Sequence, residues 1–318
     1  MSHDSPAAAA ARRPRSYIVL NEARSGSSWL QEISVSHPGI KVQFELDLRL
    51  GDSALACKEC VRPGVPDSKR AGAAEGPAKW HPPSACGMSA FGSANAFADV
   101  AALAARHDAA LVVLLRLNHV AHAVSSYRHF SKIVPAPPPD TFWAGPPAAA
   151  APVLEVPWGP GQLARAVEEA REANARLLEF PARTGRPAHL IFYEDMKRRP
   201  AAVWAGLQRF LGLPLAPSTG EESALHGMEQ RASDRPAIRY LANLTGLQAA
   251  LGGEEWGDML LDPGYDEAVN ATEAFEQACR LHPGARMSWR QHECVDGALR
   301  GLGGAGGRAW GLPGESAT

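Results

Sequence analysis

The sequence predicts a single α/β domain with a central, mainly parallel sheet flanked by helices. Three apolar segments have the character of buried strands: SYIVLN (16–21), ALVVLLRL (110–117) and AHLIFYEDM (188–196). A segment with helical character follows each of them, and strands that alternate with helices are typical of a parallel sheet. Stretches rich in Pro and Gly interrupt this alternation, and we predict that they form long irregular insertions.

The remaining elements follow in chain order. A Gly/Ser turn after the first strand leads into a helix that should end near Pro38, and KVQFEL (41–46) alternates like a second strand. Helical patterns are predicted over 96–107, 119–130, 161–180 and 200–210. Pro200 suits the first turn of the last of these helices, and Gly212 suits its end.

These elements lie in one domain over residues 16–300, with a terminal segment on each side of it. Residues 1–15 are expected to be a disordered arm, which we favour over a transit peptide, and residues 301–318 a flexible tail. The irregular insertions are predicted at about 51–95 and 134–160. The chain therefore reads as one domain with long insertions, not as two domains.

The charge balance narrows the functional classes. The chain has 32 Lys and Arg against 34 Asp and Glu, a formal net charge of −2. Proteins that hold nucleic acid by bulk charge carry a strong basic excess, so we expect no nucleic-acid partner. No apolar run reaches the roughly 18 residues of a membrane span, so we expect no stable membrane insertion.

The five cysteines cannot all pair within one chain, which argues against a disulfide framework. Cys57 and Cys60 resemble half a zinc site and Cys86 offers a third ligand, but a single CxxC is weak evidence and we expect no metal. For Cys279 and Cys294, a disulfide or simple burial is favoured over metal binding.

The segment RSGSSW (24–29) lies between the first strand and a helix start, where free backbone N–H groups and the helix dipole attract an anion. Gly26 lets the backbone approach a ligand closely, and Arg24 adds a fixed positive charge. Three hydroxyl groups add hydrogen-bond donors, those of Ser25, Ser27 and Ser28. The segment therefore predicts a phosphate-binding turn; the alternative is a Ser-capped helix with an exposed Arg.

A second candidate anion site follows the strongest strand. Arg116 stands at the carboxyl end of a central strand, where parallel sheets bind their ligands, and Ser125 lies in the helix that follows. Together they could hold a second phosphate. The alternative is a strand-end Arg that pairs with a carboxylate.

Three segments resemble, in order and rough spacing, the sulfotransferase family that uses 3′-phosphoadenosine 5′-phosphosulfate (PAPS): RSGSSWL (24–30), LLRLNHVAHAVSSYR (114–128) and IFYEDMKRRPAAVWAGLQRFLGLP (191–214). A weaker match, ASDRPAIRYLANLTGLQAAL (232–251), is similar to a late helix of bacterial and Golgi-type carbohydrate members. The late Arg-Lys-Gly motif of the cytosolic branch is absent. The resemblance implies the sulfotransferase fold, which is related to P-loop NTPases, and favours the carbohydrate-type and bacterial branch.

The resemblance implies a role for each residue of the first segment. Arg24 would bind the 5′-phosphate and the bridging oxygen as the S–O bond breaks, while residues 25–28 form the cradle. Trp29 would stack on the adenine, with a core aromatic as the equally weighted alternative.

The resemblance also assigns the 3′-phosphate and adenine contacts. Arg116 and Ser125 would hold the 3′-phosphate, although their spacing is one residue longer than in cytosolic members, so Ser126 could share the role. Tyr193 would lie near the adenine edge. Glu194 and Asp195 are expected to cap or brace the following helix.

Sulfuryl transfer needs a base near the acceptor hydroxyl. We favour Glu45, which ends the second strand as in carbohydrate-type members, over His81, whose segment KWHPP faintly resembles the cytosolic motif with a catalytic His.

The implied activity is transfer from PAPS to a hydroxyl of a small-molecule or glycan acceptor, with a carbohydrate favoured. A catalytically inactive member that binds a nucleotide or partner is the alternative, and a nucleotide kinase is disfavoured because GK[ST] is missing. A cytoplasmic location is favoured, with the Golgi or secretory lumen as the alternative, and the sequence leaves the oligomeric state open.

Overall fold

The computed structural model describes residues 15–22, 25–27, 29–30, 34, 39–43, 85–91, 96–130, 156–215, 241, 247, 271–295 and 297–301. Within them the strands are β1 (Arg15–Asn21), β2 (Ile40–Gln43), β3 (Ala85–Phe91), β4 (Ala110–Leu115), β5 (Ala188–Phe192), β6 (Met287–Trp289), β7 (His292–Val295) and β8 (Ala298–Gly301). The helices are α1 (Phe97–Arg106), α2 (His119–Phe130), α3 (Pro160–Thr184), α4 (Tyr193–Arg198), α5 (Pro200–Phe210) and α6 (Ala271–Leu281).

The strands form one sheet in the order β2-β3-β1-β4-β5-β6-β7-β8. All pairings from β2 to β6 are parallel, and β7 and β8 add an antiparallel edge. The prediction of an α/β domain with a mainly parallel sheet flanked by helices is confirmed. Since β1 to β6 all run the same way, their carboxyl ends meet at one edge, where such sheets bind ligands.

Both faces of the sheet are covered, which explains why β4 and β5 are buried along their whole length. One face packs against α1, α3 and α6, with Phe180 and Phe275 among the buried side chains. The other packs against α5 and the turn after β1, with Trp29 and Trp204 in its core. The amphipathic pattern predicted for 161–180 is confirmed, since α3 buries Leu163, Val167 and Leu177.

Strand β3 is an element that the sequence analysis missed, because its residues fell in the predicted irregular insertion at 51–95. It lies between β2 and β1, and its sequence ACGMSAF holds no Val, Ile or Thr to mark it as a strand. Gly87 is needed there, since a Cβ at this position would lie 2.2 Å from Cζ of the buried Tyr17 ring. The ring of β1 therefore covers the backbone of β3.

The carboxyl-terminal strands are tied to the domain covalently. Cys279 of α6 forms a disulfide with Cys294 of β7 across a separation of 15 residues, so these two cysteines are not metal ligands. Cys86 of β3 is disulfide-bonded as well. The disulfide alternative for Cys279 and Cys294 is confirmed. The argument from the odd cysteine count was wrong for Cys86, because an odd total still allows pairs.

Several predicted boundaries moved or were not described. The strand predicted over 188–196 ends at Phe192, and Tyr193 begins α4 instead. The arm 1–14, residues 51–84, most of the Pro-rich stretch and the tail 302–318 lie outside the described residues. In the part of the chain that the structure describes, no helix combines the length and apolarity needed to cross a bilayer.

We expect His189 on β5 to make stability depend on pH. Burial lowers the pKa of His189 from 6.5 to about 3, and its Nδ1 lies 2.9 Å from the hydroxyl of Ser288. Below pH 6.5 the unfolded chain therefore takes up a proton that the folded chain excludes until about pH 3. From pH 7 to pH 5 this group should lower the free energy of unfolding by about 2 kcal/mol.

The measurement is urea unfolding of the wild type and of His189→Gln at both pH values. The variant lacks the titrating ring, so its loss between pH 7 and pH 5 should be smaller than that of the wild type by about 2 kcal/mol. Parallel losses in the two proteins would contradict this role for His189.

Candidate active site

The turn after β1 has the backbone geometry of a helix start. Gly26 has φ of +103°, a conformation that favours glycine, and its carbonyl accepts hydrogen bonds from the N–H groups of Trp29 and Leu30 at 3.1 Å each. The hydroxyl of buried Ser25 donates to the carbonyl of Glu22 at 2.8 Å. The proton of Ser25 is therefore used within the turn, and Ser25 could donate to an anion only by breaking that bond. Ser27 is buried and helical.

The ring of Tyr193 joins this turn to the end of β4. A Cβ placed at Gly26 would lie 2.6 Å from Cδ2 of Tyr193, so the ring lies directly against the turn. The guanidinium carbon of Arg116 is 4.6 Å from the centroid of the same ring, within the range of a cation–π contact. Two segments separated by some ninety residues in sequence thus meet on one aromatic side chain.

Trp29 meets Tyr193 edge-on, with ring centroids 6.2 Å apart. It is 7% exposed and belongs to the core between the sheet and α5. The alternative of a core aromatic accounts for this burial, while stacking of Trp29 on an adenine stays a prediction.

The turn that carries Arg116 is held from two sides. The two carboxyl oxygens of Glu194 accept the N–H groups of Leu117 and Asn118 at 3.1 and 2.9 Å. The Nδ2 group of Asn174 on α3 donates to the carbonyl of Arg116 at 2.8 Å. The peptide groups next to Arg116 are therefore fixed by α4 and α3.

The start of α2 differs from the turn at Gly26, because several of its donors already have partners. The N–H groups of Leu117 and Asn118 bind Glu194, and that of Ala121 binds the Oδ1 of Asn118 at 2.8 Å. An anion here would depend on side chains more than on the backbone. Ser125 and Ser126 lie on the second turn of α2 and are half-buried, which leaves their predicted role a prediction.

His119, at the first position of α2, is a neutral part of this support. Burial, and secondarily the charge of Arg171, lowers the pKa of His119 to about 4. Its Nε2 lies 3.1 Å from the Nδ2 of Asn174. Because the ring carries no proton at Nε2 when it accepts this bond, it orients Asn174 toward Arg116.

Four of the predicted site residues lie outside the described residues: Arg24, Ser28, Glu45 and His81. The described part therefore brings together Gly26, Trp29, Arg116 and Tyr193. The candidate bases Glu45 and His81 stay predictions. Within the same part, no group of three or more His, Cys, Asp or Glu is arranged to hold a metal ion.

The sequence analysis expected Glu194 and Asp195 to brace the following helix and missed the contacts that they make with the turns after β4 and β6. Glu194 reaches back to the turn after β4, and Asp195 accepts hydrogen bonds from Trp289 Nε1 at 3.2 Å and Arg290 Nε at 2.7 Å. Only the placement of two carboxylates at a strand end could have pointed to such contacts.

A further pair lies beneath the turn at Gly26. The hydroxyl of Ser89 on β3 donates to the Oδ1 of Asn21, the last residue of β1, at 2.6 Å, and both side chains are fully buried. Ser89 could not be identified in advance, because β3 was not predicted. The pair ties the end of β1 to its neighbouring strand.

Comparisons with known proteins bear on the same segments. Residues 104–236, which include Arg116 and Tyr193, match the family model of the sulfotransferase domain. The crystal structure of a sulfotransferase from Alicyclobacillus acidocaldarius aligns with a TM-score of 0.38 and 16% identity, covering 69% of this chain and 92% of that chain. No curated protein matches the chain in sequence.

The family model covers β4, β5 and the helices around them. These elements carry the Tyr193 ring and the turn after Arg116 that Glu194 and Asn174 fix. The resemblance noted from the sequence is confirmed at the level of the family, and the preference for a carbohydrate-type branch stays a prediction. Over residues 104–236 the chain is similar to the sulfotransferase domain family.

Proposed function

We propose that this protein transfers the sulfuryl group of PAPS to a hydroxyl group of a carbohydrate acceptor. The observation that carries the proposal is the Tyr193 ring, which lies against Gly26 on the phosphate-binding turn and under the guanidinium of Arg116. A nucleotide with phosphates at both its 5′ and 3′ positions needs two anion sites on either side of its adenosine. The two segments joined by Tyr193 supply that pattern.

The residues present fit such a donor. The turn at Gly26 would hold the 5′-phosphosulfate by its backbone N–H groups and by Ser27, with Arg24 and Ser28 added as predicted. Arg116 would hold the 3′-phosphate, with Ser125 as its partner on α2, and Tyr193 would meet the adenine edge. Since PAPS differs from other adenine nucleotides by its 3′-phosphate, Arg116 is the residue that would give donor specificity.

The transfer is an in-line displacement at sulfur. The acceptor oxygen forms a bond to sulfur, the bond from sulfur to the 5′-phosphate oxygen breaks with its electron pair on that oxygen, and the hydroxyl proton passes to a base. Arg24 and the N–H groups of the turn would stabilise the negative charge that grows on the departing oxygen. Glu45 is proposed as the base, with His81 as the competing candidate.

The acceptor class rests on the resemblance to carbohydrate-type members and on the aromatic surface beside α2. Tyr127 and Trp158 are half-buried and meet edge-on at 4.8 Å, two residues beyond Ser125 on the helix. Sugars commonly bind on partly exposed aromatic rings of this kind, through their apolar faces.

We expect Arg116→Ala to weaken binding of 3′-phosphoadenosine 5′-phosphate, the product nucleotide, by about 2–4 kcal/mol. The loss follows from leaving the 3′-phosphate without its cation. Calorimetry with this nucleotide and with adenosine 5′-phosphate measures it. Arg165→Ala is the matched control, since Arg165 is exposed on α3 and pairs with Glu169. Equal binding of both nucleotides to the wild type would refute the proposed donor.

Gly26→Ala should disrupt the 5′ side. The new Cβ would face Tyr193 at 2.6 Å in a backbone conformation that side chains rarely adopt, so we expect at least a roughly tenfold loss of nucleotide affinity. Gly161→Ala is the control, because a Cβ at Gly161 meets no atom within 4 Å. Calorimetry of both variants with the product nucleotide tests this, and equal affinities would show that the turn does not bind the ligand.

Glu45→Gln should lower sulfuryl transfer at least about 100-fold, because removal of a general base costs that much or more. Its affinity for the product nucleotide should not change. The measurement is transfer of labelled sulfate to a panel of carbohydrate acceptors, with His81→Ala assayed beside it. Full transfer by Glu45→Gln together with its loss in His81→Ala would move the base to His81.

A further inference from the structure

The carboxyl group of Glu194 binds the turn that follows Arg116. It comes from the second residue of α4, yet both of its oxygens accept backbone N–H groups of the turn between β4 and α2. These groups belong to Leu117 and Asn118, the two residues directly after Arg116. The contact joins segments 76 and 77 residues apart in sequence.

Burying a carboxyl group lowers the stability of a protein unless its oxygens have hydrogen-bond partners. Glu194 is fully buried, and a buried carboxyl group without hydrogen-bond partners would strongly lower stability. A neutral residue could fill the same volume without that cost. What the carboxyl group adds is a fixed position for two adjacent peptide groups, since each oxygen accepts one N–H.

Asn174 holds the same turn from the opposite side. Its Nδ2 donates to the carbonyl of Arg116 at 2.8 Å, and Asn174 is itself 7% exposed. The side chain of Arg116 then lies over the Tyr193 ring, the residue directly before Glu194. The carbonyl of Arg116, the next two N–H groups and the guanidinium are thus each held by a different group.

We propose that Glu194, assisted by Asn174, is a positioning residue that sets the direction of Arg116 and thereby the discrimination of nucleotides by their 3′-phosphate. This inference rests on the proposed function, because it assigns the 3′-phosphate to Arg116. A guanidinium recognises phosphate through a rigid fork of N–H groups, so a small shift of its backbone misaligns the fork. Glu194 itself does not contact the phosphate.

Asp195 supplies an internal control, since it is an equally buried carboxylate one residue further on. It binds Trp289 and Arg290 at the turn between β6 and β7, away from Arg116. Loss of either carboxylate should lower stability, but only the loss of Glu194 should change nucleotide selection.

The experiment measures dissociation constants for 3′-phosphoadenosine 5′-phosphate and for adenosine 5′-phosphate by calorimetry. Their ratio is the discrimination due to the 3′-phosphate. In Glu194→Gln an NH₂ group faces one of the two backbone N–H groups, so we expect the ratio to fall at least about tenfold, through weaker binding of the bisphosphate alone. In Asp195→Asn the melting temperature should fall while the ratio stays at the wild-type value.

A double-mutant cycle tests whether Glu194 acts through Arg116. In the Arg116→Ala background, Glu194→Gln should change the ratio by less than about twofold, because the residue it positions is gone. A tenfold fall that persists in this background would overturn the inference. Should Glu194→Gln fail to fold, Asn174→Ala decides the question. It releases the carbonyl of Arg116 and the ring of His119 but leaves both bonds of Glu194 in place, and it should lower the ratio at least about threefold.

The two levels of the proposal fail differently. A wild type that binds both nucleotides equally overturns the proposed donor and this inference with it. A wild type that discriminates, together with an unchanged ratio in the folded variant at Glu194 or Asn174, overturns only the positioning role. Equal weakening of both nucleotides would likewise show a purely structural residue.

Discussion

Two adjacent buried carboxylates at the end of β5 connect the central strand to the turns on both sides of it. Glu194 binds the turn after β4, and Asp195 binds the turn after β6 through Trp289 and Arg290. Both carboxylates are fully buried, so their hydrogen bonds cannot be exchanged for water without a large cost. The carboxyl edge of the sheet, where the candidate site lies, is therefore fixed by side chains that no ligand needs to touch.

This constraint gives the two anion sites different characters. At Gly26 a helix begins on a left-handed residue, so the backbone itself presents N–H groups to a ligand. At the start of α2 the equivalent donors are engaged by Glu194 and by the side chain of Asn118. In the proposed function, the first site would recognise an anion by the shape of the main chain, while the second would depend on the direction of one arginine. A substitution that leaves the backbone intact can therefore affect the second site alone.

Much of the fold was predictable because its signals are local. The apolar run before Arg116 and the period of α3 are properties of contiguous residues, and both elements were predicted close to their observed bounds. Strand β3 was not predicted, because it lacks the β-branched residues that mark a strand. Its Gly87 is instead required by the Tyr17 ring, which covers the strand at that position. Arg116 and Tyr193 could be named as candidate site residues because their motifs are local too, and their roles stay predictions. The partners of Glu194 and Asn174 could not, since each contact joins segments that only the tertiary fold brings together.

The position of Tyr193 makes the two sites interdependent. Its ring touches Gly26 and Arg116, and its backbone leads directly into Glu194, which holds the turn of Arg116. The aromatic contact with both segments and the support of the Arg116 turn therefore both come from the end of β5. The proposed donor has anionic groups at both ends of its adenosine and would engage both segments, whereas a nucleotide without the 3′-phosphate would engage only the turn at Gly26. In the proposed function, selection of a two-phosphate nucleotide would thus depend on how β5 ends as well as on the charge of Arg116.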